Sequence, residues 1–405
     1  MIGLPSLGVF FSLMVLGFAV SEGFLVGLGV MGALMIGVGW AWNRLSLEDV
    51  SYTRQISSNR TFAGESLHLH ISISNDKPLP LSKLKVMDSV PADISIDGAH
   101  TDATANPDSR KLVHSCAIGW YETVEWDYEA LFPRRGHYPM GPAEVQSGDL
   151  FGLFKSEMLQ SLVTHILVYP NKAPIPMNMI NLAPKKPVGE LRTRSWIFHD
   201  STRFTGIRDY RFGDSVRHVD WKATARTQTL KVREFESEAQ HSVILALNLD
   251  TLGVGWRGYS SVSLENAVSV AASLAETGLE LGYSVGLITN GTSVVEERPM
   301  SVPPSRNPKQ GSRIYDVLAM VGPYLTGSIQ NVIEKERARF PYGSTLVLVT
   351  ADYSESLDGA MRGLAKLHYS PVVVYVGDAE QPKAPTSLPF YDVRKELDLW
   401  NEKVG

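Results

Sequence analysis

Two apolar runs open the chain. From Ile2 to Val20, and again from Phe24 to Trp42, 19 residues pass without a charge, separated only by Ser21-Glu22-Gly23. At ~1.5 Å of rise per residue each run makes a helix of about 28 Å, close to the hydrocarbon thickness of a bilayer. The pattern therefore predicts two transmembrane helices within residues 1–44. The short link makes them an antiparallel hairpin, with the backbone bonds satisfied inside each helix. The start lacks the positive n-region of a cleaved signal peptide, and a second span follows directly. The tip carries only Glu22, whereas Arg44, Arg54 and Arg60 follow the second run. This asymmetry places the body of the chain on the cytoplasmic side of the inner membrane.

Within the second run Gly29, Ala33, Gly37 and Ala41 recur every four residues, and Gly23 and Gly27 add a further small pair. Such spacing predicts a groove for close helix approach, filled by the first span or by a second copy in a homodimer. Trp40 and Trp42 stand where interfacial aromatics belong.

From residue 45 to 170 the period changes to two. In "SLHLHISISN" Leu67, Leu69, Ile71 and Ile73 share one face, and further short alternating stretches are divided by Pro, Gly, Asn and Asp. The reading is an antiparallel β-sandwich-like domain. His68 and His70 share the opposite face, which is expected to be solvated because no third metal ligand lies nearby. Residues 171–241 combine a proline-rich connector with a charge-dense segment.

From 242 to 405 continuous apolar runs ("SVILALNL", "YSVGLITN", "STLVLVTAD", "SPVVVYVGD") alternate with amphipathic helical patterns. Runs of this kind suit buried parallel strands, so a doubly wound α/β domain of the Rossmann type is expected. Ligands of such sheets sit beyond the carboxyl ends of the strands, where Asp250 and Asp352 fall. With Thr251 they form a candidate, weakly held Mg²⁺ site, the alternative being turn and cap residues.

Charge and cysteine usage exclude several classes. A net charge of -5 argues against general nucleic-acid affinity, and Cys116, the single cysteine, can form neither an internal disulfide nor a thiolate cluster. No Walker loop, Gly-x-Ser-x-Gly or His-Glu-x-x-His motif occurs. No cofactor is expected apart from that ion.

Against the acidic background stands "RDYRFGDSVRHVDWKATARTQTLKVREFE", Arg208 to Glu236, with seven basic and five acidic residues. Gly213 suits a tight turn, Asp214 can bond the backbone beyond it, and Trp221 is expected to bury a large face beside Lys222. Lys222 and Arg226 lie four apart on one helical side. In the following strand Leu230 and Val232 should point inward and Lys231 and Arg233 outward. Asp209, Asp214 and Asp220 are placed to pair with Arg208, Arg211 and Arg217. Two readings stay open: an internal ion-pair brace, or a docking patch built on Arg217, Lys222, Arg226 and Lys231. His218 with Asp220 could also form a base and its orienter.

The segment resembles the signature of the domain-of-unknown-function 58 family, in which Tyr-Arg-x-Gly-Asp leads to Arg-x-x-Asp-Trp-Lys-Ala-x-Ala-Arg and a basic strand ending Arg-Glu-Phe. "PRRGHYPMGP", "SGDLFGLF" and "VYP" resemble further family elements, with Leu150 where proline is usual. The resemblance implies a membrane-anchored protein with a von Willebrand factor A-like domain, associated with MoxR-type AAA+ ATPases. In this chain the Asp-x-Ser-x-Ser metal motif of that domain reads Asp250-Thr251-Leu252-Gly253-Val254. The expected function is a non-enzymatic membrane adaptor that binds protein partners. The alternative is a metal-dependent phosphohydrolase using Asp250 and Asp352.

Overall fold

Ser21, in the left-handed conformation, turns the apolar segment back on itself between helices α1 (Gly3–Val20) and α2 (Gly23–Ser46). The computed structural model describes residues 3–175, 204–210, 214, 216–235, 241–252, 258–293, 299–378, 384–385 and 387–404. One helix among them, α2, is long and apolar enough to cross a membrane; α1 contributes a shorter apolar stretch, Gly8–Val20.

The two helices pack through glycines. A Cβ on Gly17 would stand 2.7 Å from the Val26 nitrogen, and one on Gly29 would stand 2.9 Å from Met14 Cβ. The covered stripe of α2 is Gly29, Gly32, Ile36 and Gly39. Of the four small residues spaced by four, only Gly29 lies in it: Ala33 is half-buried, and Gly37 and Ala41 are exposed. The reason is geometric, since an i+4 row drifts around a 3.6-residue helix whereas steps of 3, 4 and 3 stay on one face.

The chain divides into two compact units, the first built mainly from Met1–Asn171 and the second mainly from Lys172–Thr292 and Pro323–Gly405. In the first unit, strands β1 (Val50–Ile56), β2 (Arg60–Phe62), β3 (Ser66–Asn75), β4 (Leu81–Pro91), β5 (Ser95–Ile96) and β6 (Thr101–Ala103) follow the helices. They are succeeded by β7 (Ser109–Ile118), β8 (Thr123–Leu131), β9 (Gly136–Met140), β10 (Ala143–Gly148), β11 (Lys155–Gln160) and β12 (Thr164–Tyr169). They form sheets ordered β1-β3-β8-β5, β11-β10-β4-β7-β6 and β2-β12-β9.

One apolar core joins these sheets. Leu67, Leu69, Ile71 and Ile73 of β3 enter it with Leu84 and Val86 of β4, Leu112 of β7 and Val145 of β10. The other face of β3 carries His68 and His70 opposite Glu129 and Asp127 of β8, and His70 Nδ1 lies 2.7 Å from Asp127 Oδ1. Inside the unit, Arg54 and Asp88 are sealed from solvent, with Arg54 Nη1 2.6 Å from both Asp88 oxygens. Arg54 Nη2 donates to the Met140 and Leu162 carbonyls and to Thr164 Oγ1, while the Tyr52 hydroxyl donates to Asp88 at 2.7 Å. Burial, reinforced by Asp88, holds the Tyr52 phenol far above its ordinary range.

Lys77 ties α2 to this body. Its buried ammonium donates to the carbonyls of Ser46, at 2.8 Å, and Glu48, the first of them an acceptor that the helix end leaves open. Burial depresses its pKa, an effect that Asp49, Glu48 and Asp76 oppose.

The second unit begins with a hairpin, β13 (Phe204–Asp209) and β14 (Lys231–Phe235), with helix α3 (Trp221–Thr227) between them. Next come β15 (Ser242–Leu247), α4 (Ser261–Glu280), β16 (Ser284–Ser293), β17 (Pro299–Ser305), α5 (Gln310–Met320), β18 (Val321–Leu325) and α6 (Ile329–Glu336), of which the stretch Tyr315–Gly322 groups with the first unit. The last are β19 (Thr345–Thr350), α7 (Glu355–Lys366), β20 (Ser370–Tyr375), β21 (Phe390–Asp392) and α8 (Arg394–Val404). The sheet order is β17-β16-β15-β19-β20-β21; β16 pairs parallel to β15, β15 to β19, β19 to β20 and β20 to β21. Every residue of β15 and β19 is buried, as expected for central parallel strands. The stretch "PMSVPPS" forms the antiparallel edge strand β17, a position that tolerates Pro303 and Pro304.

Candidate functional site

The charge-dense segment folds as a hairpin held by carboxylates. Asp209 and Lys231 face each other across β13 and β14, and Lys231 Nζ donates to Asp209 Oδ1 at 2.6 Å. Arg208 grips Asp214 with two parallel bonds of 2.7 and 2.9 Å. Asp220 caps α3 by accepting from the Ala223 amide at 3.0 Å, and its second oxygen accepts from Arg233 Nε at 2.9 Å. The Ala223 N–H first, and Arg233 next, hold the Asp220 carboxyl below the ordinary carboxylate range. Lys231 also donates its amide to Thr224 Oγ1, and its carbonyl accepts from the Asp220 amide, so the helix is stitched to β14.

The acids therefore choose partners other than those adjacent in sequence. Lys231 and Arg233, expected to project from a basic ridge, are engaged internally; strand pairing carries them back beside acids 22 and 13 residues away. Val232 is buried as expected, while Leu230 is exposed. Trp221, the first residue of the two-turn helix α3, is 65% exposed and does not bury the large face expected of it. Around it Arg217, Lys222 and Arg226 are exposed. Among the described residues none of these three has a carboxylate partner. Arg211 and Gly213 lie outside the described residues, and His218 belongs to the short turn Val216–His218.

A second polar cluster lies at the carboxyl ends of β15 and β19, between which the order of parallel strands reverses direction. Asn248 donates to Thr350 Oγ1 at 3.0 Å and accepts from Asn290 at 2.9 Å; Asn290 in turn accepts from the Leu249 amide. Asp250 follows with its Oδ1 buried and without a hydrogen-bond partner among the described residues. The Thr251 hydroxyl accepts from the Ser260 amide at 2.8 Å, and Ser263 donates to Asp378 at 2.9 Å. The carbonyl of Asp352 accepts from Thr350. Asp250 lines a cavity of ≈ 690 Å³ with Leu249, Tyr259, Tyr324 and Ser328. Among the described residues no three His, Cys, Asp or Glu side chains gather at metal-binding spacing. The sequence reading missed Asn248, Asn290, Ser263 and Asp378, although Asn248 and Asn290 sit at the ends of the apolar runs.

A solved cohesin module from Clostridium perfringens is 11% identical and covers 29% of this chain and 96% of its own, with a TM-score of 0.22. A non-cellulosomal cohesin from Archaeoglobus fulgidus is also 11% identical, covering 29% of this chain and 91% of its own, with a TM-score of 0.20. Likeness at these scores carries no argument. The uncharacterized protein YeaD of Bacillus subtilis is 24% identical over 252 residues, which amount to 60% of this chain and 57% of that relative. The chain thus spans a little over half of the relative's length. Residues 206–385, from the hairpin through most of the parallel sheet, match the model of the family described as protein of unknown function DUF58. Over that segment the chain is similar to the DUF58 family.

Proposed function

We propose that the chain is a membrane-tethered adaptor that presents the α3 face to a protein partner with an acidic surface. One observation carries this reading: Trp221 stands exposed beside Arg217, Lys222 and Arg226, which have no carboxylate partner among the described residues, while Arg208, Lys231 and Arg233 brace the fold. An exposed tryptophan with arginine neighbours is the composition of binding hot spots. The tether is α2, with α1 as a second crossing and the soluble units on the cytoplasmic side, in keeping with Glu22 at the tip and Arg44 after the span. Exposed Gly37 and Ala41 leave a small-residue face for a second copy. The parallel order β16-β15-β19-β20-β21 supports a von Willebrand factor A-like unit, and the family resemblance points to a MoxR-type AAA+ ATPase as the partner. Holding such a partner at the membrane raises its effective concentration without new chemistry.

The test is co-purification from native membranes with mass spectrometry. Lys222→Glu with Arg226→Glu, and separately Trp221→Ala, should lower partner recovery at least ~10-fold, as loss of a hot spot of about 1.4 kcal/mol or more requires. Unchanged recovery with intact circular dichroism defeats the reading.

The orphaned Asp250 oxygen beside a cavity favours a second reading, a weak Mg²⁺ site serving phosphoester hydrolysis. Calorimetry of the detergent-solubilised chain should then show Mg²⁺ heat that Asp250→Ala abolishes; no heat with the unaltered chain rejects it.

A further inference from the structure

We propose that the β-rich unit rests on the bilayer through two of its turns, with Leu150 and Phe151 at the hydrocarbon boundary and Trp120 and Tyr121 in the headgroup layer. This rests on the reading of α2 as a membrane span.

The first turn is pinned against the apolar run itself. A Cβ on Gly39 would stand 3.0 Å from Asp149 Oδ2 and 3.5 Å from the Phe154 ring, so the absence of a side chain there lets the β10–β11 turn approach. Two residues beyond Phe154, the Ser156 hydroxyl donates to the Asn43 carbonyl at 2.8 Å. Four helical residues rise ~6 Å and two strand residues ~6.6 Å, so the hairpin runs beside α2 with its turn directed back along the apolar run. Gly39 lies inside that run, Phe24–Trp42. At the same level Arg44 sits over the Trp40 ring, 5.7 Å from its centroid, a pairing suited to the interface.

The chemistry of the turn fits that depth. Asp149 is buried, and its two oxygens accept backbone N–H groups, from Phe151 at 3.0 Å and Phe154 at 2.7 Å. Each carboxylate oxygen therefore has a donor inside the turn, which lowers the cost of holding it away from water. Leu150 and Phe151 are 52% and 48% exposed to solvent in the isolated chain. Lipid would cover that apolar area, and burial at the usual coefficient is favourable.

The second turn is fastened to the end of the span. Asn75 donates its side chain to the Gly119 carbonyl at 2.7 Å and its amide to Glu122 at 3.0 Å. The Tyr121 amide donates to the Lys77 carbonyl, and Lys77 is the residue that bonds Ser46 and Glu48. On this turn Trp120 and Tyr121 are 68% and 69% exposed, and these are the residue types that membrane interfaces accommodate. At the other end of β7, ~30 Å away by strand length, the turn reads Thr104-Ala105-Asn106-Pro107-Asp108 and offers no large apolar side chain. Lipid around α2 would cover both apolar turns together with the exposed flank of that helix.

The test uses the full chain with Cys116→Ala, reconstituted in phosphatidylcholine–phosphatidylglycerol nanodiscs, carrying one spin label at a time. Labels at Leu34→Cys, Phe151→Cys, Trp120→Cys and Ala105→Cys report collision with oxygen against a water-soluble nickel chelate. The expected result is lipid-like collision at 34 and 151, an intermediate value at 120 and water-like collision at 105. Nickel access at 151 or 120 equal to that at 105, with 34 protected, overturns the seat while leaving the span intact. Nickel access at 34 overturns the span and the seat together.

Discussion

Arg54–Asp88 and Arg208–Asp214 use the same two residue types in opposite settings. The surface pair has the better fork, with two nitrogens on two oxygens at 2.7 and 2.9 Å. The interior pair places one nitrogen on both oxygens at 2.6 Å and sends the other to two carbonyls and a hydroxyl, leaving Arg54 Nε without a partner. Geometry alone would rank the surface pair higher. Burial reverses the ranking, because a charge sealed from water has no solvent to fall back on once its partner is removed. The interior pair thus ties β1 to β4 and to the β9 and β12 ends, whereas the Arg208–Asp214 pair, only half-buried, shapes the β13–β14 hairpin.

Breaking the interior pair should give the largest effect. Arg54→Leu is expected to cost about 3–5 kcal/mol by stranding Asp88, read as lost hydrogen-exchange protection of β3 and β4 peptides in denaturant. Arg54→Met with Asp88→Leu should recover most of it; failure of that rescue would show that the hydrogen bonds to Met140 and Leu162, rather than the charge pair, carry the stability. Lys77→Met comes next, at about 1–3 kcal/mol, since it leaves the Ser46 and Glu48 carbonyls without their buried donor. Exchange at the α2–β1 junction should rise first.

Acid sharpens the same contrast. Burial keeps His114 neutral, with its pKa below the ordinary value; its Nε2 lies 2.9 Å from the Tyr128 hydroxyl and its Nδ1 is unpartnered. The unfolded chain therefore binds the proton first, and stability should fall as pH drops below ~6.5 toward the folded pKa. His137, lowered by burial and by His165, acts in the same direction. Asp127 raises the pKa of exposed His70, whose contribution is full below ~6.5 and fades as pH rises through its folded value. Unfolding midpoints from pH 7.5 to 5.5 should decline, and less steeply in His114→Gln. The smallest effect is expected for Arg208→Leu, about 0–1 kcal/mol, measured by the same exchange on β13 and β14 peptides.

The outline of the molecule was legible because its signals are local. Leu67, Leu69, Ile71 and Ile73 announce a one-sided strand, "SVILALNL" a buried one, and the apolar run of α2 a helix of membrane length. The "KLVHSCAIGWYETVEWDYEALF" stretch resolves into β7 and β8 at Tyr121, whose left-handed backbone makes the turn. The strand "PMSVPPS" and the helix Arg394–Val404 were not legible, the first because prolines suggest a loop.

Periodicity and charge spacing in the chain sufficed to determine the apolar hairpin segment, the alternating strands, the buried parallel runs and the charge-dense signature. Which groups meet was decided only by the tertiary structure: Lys231 with Asp209, Arg233 with Asp220, Arg54 with Asp88, and Gly39 with the Asp149 turn. The division is physical. Periodicity reflects the repeat of one element and is written in neighbouring residues. Ion pairing and close approach depend on distances in space, which strand order sets without regard to separation along the chain.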